Sequence, residues 1–168
     1  MQCPYYNAVA RGLFKLAEEF DVPVLIHVDT SHVKYFSQFC QGYPQVRFPL
    51  IHAGGILQSR HIREILKLCP NTWIELSVRD PWRYNRFSDE KGIVPNEWLT
   101  LIKENPNKFM IGTDPVWSVT RTPRWDEEDE GWQHYAQLIN FHRQWMKQLA
   151  EDVERKVRLD NARRFFSK

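Results

Sequence analysis

The chain has little of what would place it in several familiar classes of protein. Only three of its 168 residues are cysteine (Cys3, Cys40 and Cys69), widely spaced and without a Cys-x-x-Cys. So small and scattered a set indicates neither a disulfide framework nor a zinc finger, and a reducing cytoplasm is the expected compartment. No apolar run approaches the roughly 18 residues of a membrane span, and the opening MQCPYYNAVARG lacks the basic-then-apolar order of a signal peptide. Charge of one sign is also missing: 23 Lys and Arg stand against 21 Asp and Glu, a formal net charge of +2. That field is too weak to argue for nucleic acid or a membrane surface as partner. There is no low-complexity tract, no repeated motif and no His-x-His. What is present, 42% hydrophobic residues, suffices for a core but not for two ordinary domains, so residues 1–168 are expected to form a single domain.

Four short runs rich in β-branched and aromatic residues read as strands: VPVLIHV (22–28), VRFPLIH (46–52), NTWIELS (71–77) and KFMIGTD (108–114). Between them, residues 7–20, 32–41, 58–69 and 95–105 carry apolar residues at helical spacing. Strands alternating with helices at the length of a βα unit give an α/β fold with four parallel strands and right-handed crossovers. An acidic, aromatic loop (115–130), a long helix near 131–153 and a terminal helix opened by Asp160 as N-cap are expected to follow. The segment 82–95 is long enough to be an active-site loop.

In such sheets, ligands and catalytic groups gather at the carboxyl ends of the strands. His27, His52, Ser77 and Asp114 each occupy one of those ends. Simple alternation places Leu25, His27 and Asp29 on one face with Phe48, Leu50 and His52, with Trp73, Glu75 and Ser77, and with Met110, Gly112 and Asp114. A lone histidine there is more readily structural than functional. Two histidines and an aspartate at equivalent ends are harder to explain as packing, because burying such groups without partners costs several kcal/mol each. Imidazole and carboxylate are also ligands of catalytic zinc and similar divalent ions, which lower the pKa of bound water to about 7.

VLIHVDT, PLIHAGG, KFMIGTDP and the terminal NARRFF, in this order and spacing, resemble the second half of the amidohydrolase superfamily. The similarity is strongest to the amidohydrolase-related branch, which includes metal-dependent TIM-barrel hydrolases and aminocarboxymuconate-semialdehyde-type decarboxylases. The resemblance implies the C-terminal half of a (β/α)8 barrel. It also implies that His27 binds a divalent metal, with zinc the expected ion, that His52 binds metal or assists catalysis, and that Asp114 binds metal and manages protons. The first-strand His-x-His and the fourth-strand ligand of the family have no counterpart here.

Half a barrel would leave Leu25, Phe48, Leu50, Trp73 and Met110 wet on its inner face, forfeiting about 8 to 15 kcal/mol, as much as a whole domain's net stability. Oligomerisation is the expected remedy. In a homodimer VLIHV of each copy would pair with KFMIGT of the other and bring two sets of His27, His52 and Asp114 to one mouth. A partner chain carrying the missing half would serve equally, and a truncated product that associates less specifically is the third possibility.

Glu75 reads as a support for a histidine or as half of a buried ion pair. His32, just past the first strand, reads as solvated or as an added ligand. Arg79, Arg83 and Arg86, interleaved with Trp82 and Tyr84, could hold a substrate carboxylate or form a solvated loop. Trp117, Arg121 and Trp125 could form a lid. His61, His134 and His142 read as helix-surface or packing residues. The function expected is that of a metal-dependent hydrolase in which His52 and Asp114 are catalytic and water attacks an amide or ester-like small molecule. A decarboxylase of an aromatic or unsaturated acid, favoured by the arginines, is the alternative enzyme. The rival outside catalysis is a non-catalytic half-barrel.

Overall fold

The computed structural model describes residues 7–27, 33–83, 87–116, 126, 128 and 131–167. Its first element, α1 (Ala8–Glu19), is capped by Asn7, whose side chain accepts a hydrogen bond from Ala10 N–H at 2.8 Å. This helix has two apolar faces. Phe14 and Ala17 are buried, while Val9, Leu13, Leu16 and Phe20 on the other side are exposed.

Three short parallel strands follow, β1 (Phe48–Leu50), β2 (Thr72–Glu75) and β3 (Phe109–Met110), lying side by side in that order. Helices α2 (Val33–Gly42), α3 (Ser59–Leu68) and α4 (Asn96–Glu104) fall between successive strand segments, within a residue or two of the stretches predicted. The expected first strand is reduced to one parallel bridge, Ile26 with Leu50, assisted by Val24 N–H donating to Arg47 O at 3.0 Å. Pro23 has no N–H to donate. The segment nevertheless takes the predicted place beside β1.

The register corrects the expected faces. Phe48 lies opposite Thr72, Leu50 opposite Ile74, and Ile74 opposite Phe109, and the Phe14 ring of α1 meets that of Phe48 edge-on at 5.9 Å. Phe48 and Leu50 therefore belong to the helix-covered face and are wholly buried. On the opposite face Met110 is also buried, and Trp73 packs edge-on against Phe165 at 5.1 Å beneath the Lys108 ammonium, 4.1 Å from its ring. Leu25 alone of the five expected wet side chains is largely exposed, at 57%. The penalty anticipated for a bare inner face thus falls to one side chain, roughly 1.5 to 3 kcal/mol at most.

The single helix expected over 131–153 is interrupted. A turn at Gly131–His134 leads into α5 (Tyr135–Met146), and Ala150, extended at ψ 150°, breaks the chain before α6 (Glu151–Arg155). A wide π turn, Lys156–Asp160, carries α6 into α7 (Asn161–Phe166). Asp160 is helical (φ −69°, ψ −34°) and caps nothing; its carboxylate pairs instead with Arg155 at 3.2 Å. Asn161 Nδ2 holds α7 to the start of β3 by donating to Pro106 O and Phe109 O, both at 2.8 Å.

Cys40 and Cys69, expected to be unpaired, form a disulfide with their Cα atoms 5.6 Å apart. They sit at the ends of neighbouring helices one βα unit apart, a tertiary proximity that their spacing of 29 residues does not announce. The pairing removes the cysteine-based argument for a reducing compartment. Among the described residues no helix is long and apolar enough to cross a membrane.

Candidate functional site

The run PLIHAGG leaves the sheet immediately after Leu50. Ile51–Gly54 form a 3-10 turn in which His52 (φ 55°) and Ala53 (φ 47°) are left-handed, followed by Gly54 and Gly55 at φ 68° and 66°. The glycines adopt that conformation freely; His52 and Ala53 do so at a cost of about 1 kcal/mol or more each. The turn has a consequence for aim. Alternation from the buried Leu50 would send His52 under the helices, whereas the left-handed step swings it to the opposite face, where Glu75 and Ser77 stand.

There His52 is buried and fully engaged on one edge. Its Nδ1 lies 2.7 Å from Ser77 Oγ, and its backbone N–H donates to Glu75 Oε2 at 3.1 Å. Glu75 also accepts from Ser77 N–H and from the Ser77 hydroxyl, each at 2.7 Å. Burial raises the Glu75 carboxyl above its ordinary range, against these three donors. With Glu75 ionised and the Ser77 proton given to it, Oγ can only accept from His52 Nδ1–H. The other ring nitrogen, Nε2, is then a bare lone pair. It faces Asp114 Oδ2 at 3.7 Å.

Burial is also the first reason that the His52 imidazole is lowered below its ordinary range, with the Asp114 carboxylate opposing and His27 adding to the shift. The His27 ring stands edge-on to that of His52, centroids 5.0 Å apart, and is exposed to solvent. Two predicted ligands therefore face each other and the third adjoins them. Two donors of a tetrahedral zinc with bonds of 2.0 to 2.1 Å stand about 3.3 Å apart, close to the separation of His52 Nε2 and Asp114 Oδ2. The donor types and this spacing suit a divalent ion. Among the described residues no group of three or more His, Cys, Asp or Glu side chains stands at metal-holding spacing.

Several supporting residues are not apparent from the sequence. Gly112 is one: a β-carbon there would lie 1.9 Å from Glu75 Oε1, so the carboxylate occupies space that only glycine leaves. Its carbonyl accepts from His142 Nε2–H at 2.7 Å, while His142 Nδ1 accepts from Trp145 Nε1–H at 3.0 Å. Burial holds His142 neutral, its pKa lowered to about 4. It is a packing residue, as expected.

The arginines depart from expectation. Arg79 and Arg83 are both buried and do not present themselves to a substrate carboxylate. Arg79 donates from Nε to His52 O (2.9 Å) and from Nη2 to Ala53 O (2.8 Å) and Leu57 O (2.7 Å), with its guanidinium 5.3 Å from the Trp98 ring centroid. Arg83 donates to Asp114 O (2.7 Å) and Thr113 O (2.8 Å), and its charge is met by Asp80 at 2.6 Å. Carbonyl acceptors at kinked strand ends, which carry no sequence signal, have drawn both groups inward. Trp82 is partly exposed, its ring 5.9 Å from Phe141. Asp29, His32, Tyr84, Arg86, Trp117, Arg121 and Trp125 lie outside the described residues.

The sequence model of a family described as amidohydrolase matches residues 4–168. No curated protein matches the chain. Among solved structures, an uncharacterised TIM-barrel protein of Bordetella bronchiseptica is similar over 95% of this chain and 50% of its own, with 13% identity and a TM-score of 0.63. An amidohydrolase of Burkholderia multivorans with bound zinc is similar over 94% of this chain and 57% of its own, at 16% identity and TM-score 0.61. Amidohydrolase 2 of Bifidobacterium longum subsp. infantis matches over 95% and 55%, at 12% identity and TM-score 0.52. The chain thus spans about half the length of the structures it resembles, and its sheet with flanking helices is part of a TIM barrel.

Proposed function

The chain belongs to the amidohydrolase family, and from that premise we propose that it forms one half of a divalent-metal hydrolase site acting on an amide or ester-like small molecule. The observation that carries this reading is the pair His52 Nε2 and Asp114 Oδ2, 3.7 Å apart, with the His27 ring beside them. The zinc bound in the Burkholderia structure agrees with the donor types. When bound, such an ion supplies Lewis acidity, lowering the pKa of water to about 7 and polarising a carbonyl. The chain's own residues do the rest. His27, His52 and Asp114 would hold the ion. The Glu75–Ser77 pair keeps the His52 proton on Nδ1, so that Nε2 presents its lone pair. Asp114, half-open to solvent, would accept a proton at the carboxylate oxygen that the ion leaves free and return it to a leaving group.

The remaining ligands and barrel wall come, on this proposal, from the βα units of a second copy of the chain. Leu25 and the outer stripe of α1 (Val9, Leu13, Leu16, Phe20), all exposed, give such units an apolar seat. The decarboxylase alternative loses the support it drew from Arg79 and Arg83, whose donors serve backbone carbonyls. The test is an activity panel with added zinc, esters and amides against aromatic acids. Zinc-dependent hydrolysis that falls at least 100-fold in Asp114→Asn is expected; loss of carbon dioxide from an acid, or activity indifferent to zinc, contradicts the proposal.

A further inference from the structure

Among the described residues, four of the five non-glycine residues with positive φ lie just past strands: His52 (55°) and Ala53 (47°) after β1, Val78 (59°) after β2 and Asp114 (42°) after β3, while the fifth, Asp21 (48°), follows α1. Val78 is β-branched, for which this conformation is a true outlier. Strain of this kind persists only where the surroundings over-determine it. Directly after Val78 come Arg79 and Arg83, both carried by one loop. Arg79 reaches sideways to the carbonyls of His52 and Ala53, the two strained residues after β1. Arg83 reaches the other way to the carbonyls of Thr113 and Asp114.

A peptide in an irregular turn exposes carbonyls that no ladder partner satisfies, and a buried carbonyl without a donor is costly. A guanidinium offers several N–H groups in a fixed plane, so one side chain can satisfy neighbouring carbonyls and fix their relative angle; an ammonium is a single point donor. The charge of Arg83 is compensated in place. Asp80 Oδ2 accepts from its Nε at 2.7 Å, and Asp80 Oδ1 accepts from the Arg83 backbone N–H at 3.1 Å. This loop is thus clamped at its own base before it clamps its neighbours.

We propose that Arg79 and Arg83 are positioning residues: from the loop after β2 they grip the backbone turns on either side, and so set the separation and aim of His52 and Asp114. It rests on reading those two as the working pair. Neither arginine touches the reacting atoms. Their effect is transmitted through carbonyls one bond from the Cα atoms of His52 and Asp114.

The test compares crystal structures and zinc titrations of the wild-type chain with Arg79→Lys and Arg83→Lys. Expected is a folded protein whose His52 Nε2 to Asp114 Oδ2 separation widens well past 3.7 Å and whose zinc affinity falls about 10- to 100-fold, the range seen when supporting partners of ligands are lost. In the Arg79→Lys background, Ala53→Gly makes the left-handed turn intrinsically favourable and is expected to recover part of the affinity, which a purely stabilising role would not predict. Should Arg83→Lys fail to fold, the neutral pair Asp80→Asn with Arg83→Gln, which leaves no lone buried charge, carries the same expectation. Folded variants with an unchanged separation overturn the proposal. A wild-type chain that binds no zinc overturns the function proposed above, while the variants' coordinates still decide the clamp.

Discussion

A β-carbon at position 112 would lie 1.9 Å from Glu75 Oε1 and 3.3 Å from Ser77 Cβ. Glycine at this place is required by a neighbour rather than by its own backbone. In Gly112→Ala the Glu75 carboxylate has to move, surrendering its bonds to Ser77 and to the His52 N–H. Overpacking of this order costs about 1 to 3 kcal/mol. We expect a denaturation midpoint lowered accordingly and an imidazole of His52 whose tautomer, read by nitrogen NMR, is no longer fixed with the proton on Nδ1. An unchanged midpoint and tautomer would show that the carboxylate has room to spare. The grouping of His27, His52 and Asp114 was legible in the sequence, because a polar residue ending an apolar run is a strand-end signal. Their supports were not. Gly112, and the acceptors of Arg79 and Arg83, are defined by what lies across the sheet, and no spacing along the chain encodes that.

At the scale of elements, β1 shows how the sequence can lead to the right residue by the wrong route. Alternation grouped His52 with Phe48 and Leu50; in the structure those two lie under the helices, and His52 reaches the site face only through its left-handed turn. The two glycines that follow it are the visible trace of that turn. The helices after β1 and β2 were read from periodicity almost to the residue. The break between α5 and α6 was not, because residues 147–150 contain neither glycine nor proline. The docking of α5 has its own consequence for pH. His142 is held at a pKa of about 4, below its ordinary 6.5, chiefly by burial, with Asp80 and Arg83 facing it in opposite senses. A folded pKa below the unfolded one means that the unfolded chain binds the extra proton. The stabilisation is therefore complete above about pH 6.5 and is lost as pH falls toward 4. By linkage this amounts to about 2 kcal/mol by pH 5. Urea denaturation at pH 7 and pH 5 is expected to show that decline, and His142→Gln, which retains a donor for Gly112 O but does not titrate, is expected to flatten it. An equal decline in both proteins would place the acid sensitivity elsewhere.

As a whole molecule the chain is half the length of the barrels it resembles, and its parts reflect that. The inner face is better covered than five exposed side chains would imply, since α7 closes over Trp73 and the register buries Phe48 and Leu50. Among the described residues, Leu25 and the outward stripe of α1 are apolar and exposed. A helix apolar on two sides is suited to packing between two neighbours. The candidate ligands are equally incomplete: a histidine and a carboxylate stand 3.7 Å apart, a second histidine ring adjoins, and among the described residues no three such groups stand at metal-holding spacing. The Cys40–Cys69 bond ties α2 to the end of α3.

The most direct test is the zinc content of the purified chain after equilibration with the ion and removal of the excess, measured with the assembled mass by light scattering and repeated for His52→Ala and Asp114→Asn. The account predicts about one zinc per assembled barrel, carried by a species larger than one chain, and its loss in both variants. Stoichiometric zinc retained when His52 and Asp114 are both replaced would place the ion elsewhere and contradict the account.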